Sequence, residues 1–120
     1  MAALAAEWLL ELSLDEPPAN DAVGGEVVLM NFTAPPEVQW TFLQATVDGA
    51  RTDDQLYAIA AGPFEHLLGF HGEDFIAPLE ARCRDNVRFA RMTTAAYQHL
   101  MSDAVWRRVQ AIQATVTDTL

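Results

Sequence analysis

Only one stretch of this chain, Val27–Phe32, has the composition of a β-strand, and no second convincing strand stands ready to pair with it. A lone strand leaves its backbone amides and carbonyls without partners. The run is therefore read as a helical turn or short helix. Elsewhere large apolar residues recur at three- and four-residue spacing, the period of one helix face. Leu4, Trp8 and Leu12 form one such stripe, and Trp40, Leu43, Val47 and Ala50 a second. Phe89, Met92, Ala96 and Leu100 form a third, and Val105, Trp106, Val109 and Ile112 a fourth. The expectation is an all-α fold: one compact bundle of six or seven short helices with no sheet, spanning residues 1–120.

Proline, glycine and capping residues divide the helices. The first is expected over Ala2–Leu12. Residues 13–26 hold Pro17, Pro18, Gly24, Gly25 and four acids, and read as an acidic loop. Pro35 and Pro36 open a helix running to about Ala50. Thr52-Asp53-Asp54-Gln55 has the form of a capping box, in which each side chain satisfies the other's backbone amide. The helix it starts should run to Ala61 and break or kink at Gly62-Pro63. A further helix is expected from Pro63 to about Phe70, closed by Gly72. Glu73 or Asp74 should cap the next, which buries Phe75, Ile76, Leu79 and Cys83. Asp85 and Ser102 are the expected caps of the last two. Residues 115–120 lack periodicity and read as a frayed tail.

Charge narrows the partners. The formal net charge is −10, and there is no lysine. Residues 1–80 carry fourteen acids and one base, Arg51, whereas residues 81–120 carry six arginines and three acids. So acidic a chain is not expected to bind nucleic acid, because phosphate-backbone binders cluster Lys and Arg. No apolar run reaches the roughly 18 residues of a membrane span, so no membrane partner is expected. The start has no basic segment of the secretory kind, and the expected location is cytoplasmic.

Chemistry-bearing residues are few. His66 and His71 are five apart and so point to different helix faces, and no metal site is expected. Cys83, the single cysteine, falls on an apolar stripe and reads as a small hydrophobe. No phosphate loop or nucleophile elbow is present, and no cofactor is expected. Glu65, His71, Glu73 and Asp74 cluster around one helix end. They could serve acid–base chemistry in a pocket, or merely cap and solvate the helix. Arg84, Arg88 and Arg91 form a basic stripe at helical spacing, most simply paired with the chain's own acids. The three tryptophans read as core anchors.

The stretch Ala60-Ala61-Gly62-Pro63-Phe64-Glu65-His66-Leu67-Leu68, followed by His71-Gly72, resembles an uncharacterised group of small bacterial helical proteins with an A-A-G-P-[LF]-E-x-L-L-x-x-x-G motif. Trp40 and Trp106 match that group's tryptophan layout, and the likeness extends over roughly residues 36–110. The group is similar to toxin-associated immunity proteins, which implies a binding role. The expected function is an acidic immunity protein or antitoxin, not an enzyme, that neutralises a basic toxin or effector domain. Its expected contact residues are Asp15, Glu16, Asp21, Glu26, Asp53, Asp54, Glu65, His71, Glu73 and Asp74. The competing expectation is a small helical ligand-binding module or enzyme using Glu65 and His71.

Overall fold

A computed structural model describes residues 1–14 and 22–120. Its α-helices are α1 (Ala2–Leu12), α2 (Ala22–Thr33), α3 (Pro36–Gly49), α4 (Asp53–Ile59), α5 (Glu65–Asp85), α6 (Val87–Thr93) and α7 (Asp103–Ala114). A π-helical turn, Ala60–Phe64, joins α4 to α5. Among the described residues there is no strand, and no helix is long and apolar enough to cross a membrane. The fold is an all-α bundle.

The stripes meet in one core. Phe42, Leu43, Val47, Ile59, Phe64, Leu67, Leu68, Ile76, Leu79, Phe89, Met92 and Val109 are fully buried. Trp8 is buried against Phe42, and Trp40 lies against both Phe75 and Phe89 with ring centroids 5.9 and 5.8 Å away. Trp106 is partly buried against the same core.

The capping box forms as expected. Thr52 Oγ1 accepts from the Gln55 amide, and Gln55 Oε1 accepts from the amides of Thr52 and Arg51. The amide of the same side chain then donates to Leu9 O of α1 at 3.0 Å. One glutamine thus starts α4 and ties it to the first helix. Ser102 caps α7 by accepting from the Val105 amide.

Gly62-Pro63 bends the chain without ending the helix. Proline lacks an amide and its ring crowds the carbonyl four residues earlier. The added residue of a π turn relieves that crowding, and Glu65 N–H reaches five residues back to Ala60 O. Gly62 has open space around it, so its value is local: a Cβ before proline disfavours helical backbone. The second interruption is at His71, whose φ of −135° and ψ of 25° kink α5. Gly72 is not the left-handed cap expected; no described glycine has positive φ. It is a contact residue instead, for a Cβ there would stand 3.0 Å from Val105 Cγ1 of α7.

Other expectations are corrected. Residues 22–26 belong to α2 rather than to the acidic loop, because α2 has an apolar face, Val23, Val27 and Met30, to lay on the core. Asn86, not Asp85, caps α6: it is extended and accepts from the Phe89 amide, while Asp85 still ends α5. The helix expected to reach Leu100 stops at Thr93. Thr93 and Thr94 hydroxyls fold back to carbonyls three residues earlier, and Ala96 and Met101 are buried where Leu100 is not. Residues 115–120 are anchored rather than frayed. The Leu120 amide donates to Thr94 Oγ1 at 2.9 Å, and Asp118 meets Arg91.

Candidate functional site

Seven of the ten expected contact residues fall among the described residues. Asp15, Glu16 and Asp21 lie outside the described residues. Asp53 is occupied by Arg91, whose Nη1 and Nη2 donate to its two oxygens at 2.6 and 3.1 Å. These bonds hold the Asp53 carboxyl below the usual carboxylate range. Asp54 follows it in the first turn of α4.

The arginines dispose of several further acids. Arg82 binds Asp48 at 3.1 Å, and Arg108 binds Glu80 through both oxygens, which holds that carboxyl low as well. Arg88 donates to the carbonyls of Val47 and Asp48 at the end of α3. The expected stripe of Arg84, Arg88 and Arg91 does not exist. Asn86 ends α5 between the first of them and the other two, and Arg88 and Arg91 turn back onto α3 and α4. The expectation of intramolecular pairing holds for Arg91.

Glu65, Glu73, Asp74 and His71 do lie together along the first half of α5, facing the segment 94–102. Two of them hold that segment in place. Glu65 Oε2 accepts from the Tyr97 amide at 3.0 Å, and Glu73 Oε1 accepts from the Ser102 hydroxyl at 2.9 Å. Burial pushes the Glu65 carboxyl above its ordinary value, against the lowering effect of the Tyr97 amide and of His99. His71 lines a shallow cleft of about 450 Å³ with Glu73, Asp74 and Ser102, and Glu65 does not line it. Cys83 is buried, and its thiol is pushed up to about 12, which suits a core residue.

Sequence periodicity missed the apolar part of this face. Phe32, at the end of α2, is 69% exposed, and Phe70, Tyr97 and Leu100 are 53%, 77% and 54% exposed. His66 sits between two of these rings, 4.7 Å from Phe32 and 4.6 Å from Phe70 by centroid. Leu100 packs beside Gly69, where a Cβ would be 3.1 Å from it. α2 also turns Val28 and Leu29 outward. The helix is thus apolar on two opposite faces, and only one rests on the core. The signal was present in Val27–Phe32 as an apolar run broken only by Asn31, which a one-sided surface helix does not need.

The carboxylates of α2 and of the first half of α5 are poorly compensated. Among the described residues, Glu26 on α2 and Glu65 and Asp74 on α5 make no ion pair within 4.0 Å. Glu73 makes none either, although Arg108 feels its charge. All three histidines belong to this region, and burial lowers the pKa of His66, with His71 and His99 adding repulsion.

Among the described residues no group of three or more His, Cys, Asp or Glu is placed to hold a metal ion. No curated protein and no solved structure matches the chain. Residues 19–117 match the model of a family of unknown function, DUF6869, and the chain belongs to that family. The match begins well before residue 36 and takes in α2, so the exposed stripe lies inside it.

Proposed function

We propose that this DUF6869 protein is an acidic binding protein of the immunity or antitoxin kind, which neutralises a basic toxin or effector domain by covering it. The observation that carries this reading is the face built by α2, the first half of α5 and the segment 94–102. It joins exposed Phe32, Phe70, Tyr97 and Leu100 to carboxylates that no guanidinium holds. Contiguous exposed apolar surface rimmed by polar groups is characteristic of interaction sites. Aromatic anchors supply affinity through burial, and the surrounding negative potential steers a cationic partner and rejects anionic ones. The formal charge of −10 extends that field beyond the contact itself.

The contact set differs from the one expected of sequence. Glu26, Glu65, His71, Glu73 and Asp74 remain in it, with Phe32, His66, Phe70, Tyr97 and Leu100 added. Asp53 leaves it, because Arg91 already occupies its carboxylate.

The test is affinity capture on the whole chain at low salt, followed by binding measurements with the purified partner. The expected result is a basic protein that elutes as salt rises and binds Phe32→Ser and Phe70→Ser variants at least about tenfold more weakly. An acidic partner, or equal binding by both variants, overturns the reading.

A further inference from the structure

The corner where α1, α3, α4 and α6 meet carries two adjoining clefts. One, of about 650 Å³, is lined by Arg51, Arg88 and Arg91, with Leu56 and Val87 as its apolar wall. The other, of about 550 Å³, runs along α1 and is lined largely by Ala2, Ala6, Leu9, Leu10 and Ala45. Gly49, Arg51 and Thr52 line both, so the cationic cleft and the apolar one adjoin at these residues. Three of the chain's seven basic side chains converge here, in a protein of net charge −10.

The two acids of the cationic cleft cancel one of these three charges, that of Arg91, and leave those of Arg51 and Arg88. Asp48 is held by Arg82, and Asp53 by Arg91. Arg88 is fixed by its bonds from Nη1 to the carbonyls of Val47 and Asp48, at 3.3 and 2.9 Å, and makes no ion pair among the described residues. The side chain of Arg51 makes no ion pair among the described residues either; only its backbone amide is used, by Gln55. Two guanidiniums without carboxylate partners among the described residues therefore border a cleft that adjoins an apolar one. Guanidinium forks match the oxygens of carboxylates and phosphates. A site of this size, mostly apolar with a few convergent polar groups, has the anatomy of a small-molecule site.

We infer that this corner binds a small amphiphilic oxyanion, with its carboxylate or phosphate head at Arg51 and Arg88 and its hydrocarbon body in the groove along α1. The site shares no residue with the proposed partner surface, and it stands or falls independently of that reading.

The experiment is calorimetric titration of the full chain with octanoate and, separately, with octyl phosphate; octanol and inorganic phosphate are the controls. Saturable binding of at least one amphiphile is expected. Octanol, without the charge, and phosphate, without the hydrocarbon, should each bind at least about tenfold more weakly. Preference between octanoate and octyl phosphate identifies the head group. Arg51→Ala should weaken binding at least about tenfold, and because that side chain makes no ion pair among the described residues, the variant is expected to keep its stability, which a melting curve checks. Arg88→Ala also removes bonds to α3, so its result is read together with a melting curve. No saturable binding of either amphiphile overturns the inference. So does equal binding of octanol, or unchanged affinity in Arg51→Ala.

Discussion

The ring of Phe32 meets the imidazole of His66 edge-on, with centroids 4.7 Å apart and planes inclined at 77°. The contact joins the outer stripe of α2 to the first turn of α5 and makes one surface of two elements. Because Phe32 is largely exposed, little of its apolar area is used by the fold itself. Phe32→Ala should change unfolding stability by no more than about 0.5 kcal/mol, the range of ordinary surface changes. Phe42→Ala, in the core, should cost about 3–5 kcal/mol. Urea denaturation of the two variants checks the contrast. A large loss from Phe32→Ala would mean the ring is structural.

The same contact affects titration. Burial lowers the His66 pKa below its ordinary value of 6.5, so the folded chain resists protonation there more than the unfolded chain does. Below pH 6.5 the unfolded state therefore takes up the proton first. The His66 contribution to stability falls as pH drops from 6.5 to the folded midpoint, then levels off. Glu65 acts oppositely. Its raised pKa means the folded state holds a proton more readily, so its contribution improves as pH falls toward 4.5. Imidazole resonances followed by NMR should give a His66 midpoint below 6.5. A midpoint at or above that value would contradict the burial described.

Gln55 joins two helices through one side chain. Gln55→Ala removes acceptors for the Arg51 and Thr52 amides and the donor to Leu9 O. The expected cost is about 2–3 kcal/mol, more than the roughly 1 kcal/mol of a simple cap such as Thr52→Ala. Chemical denaturation distinguishes the two. Equal losses would show that the bond to α1 contributes nothing.

Gly72 sets the distance between α5 and α7. Gly72→Ala puts a methyl 3.0 Å from Val105 Cγ1, and overpacking of this kind costs about 1–3 kcal/mol. Val105→Ala in the same chain should restore part of that loss. A double-mutant cycle measures the coupling, and strict additivity would argue against the contact.

Much of the fold was legible because its determinants are local. Thr52 and Gln55 satisfy each other within four residues, and the stripes of α1, α3 and α7 declare their inner faces by spacing alone. What could not be read depends on groups distant in sequence. The segment after Thr93 leaves the helix, and Glu65, from 32 residues earlier, accepts the Tyr97 amide. That change of path exposes Leu100 and buries Met101, although periodicity favours the reverse. Gly72 carries the sequence signature of a helix cap, but the approach of Val105 gives it another use. The candidate surface was half visible. Its carboxylates on α5 stood out by clustering, whereas nothing in the spacing of Phe32 and Phe70 marked them as exposed; the packing leaves them outside.

What meets that face decides the function. The most direct measurement is stopped-flow association of the salt-eluted partner with the whole chain and with a Glu26→Gln, Asp74→Asn variant, across a salt series. The account predicts a slower rate and a flatter salt dependence for the charge variant. The addition of Phe32→Ala should then speed dissociation. Identical association and dissociation for all three proteins would contradict it.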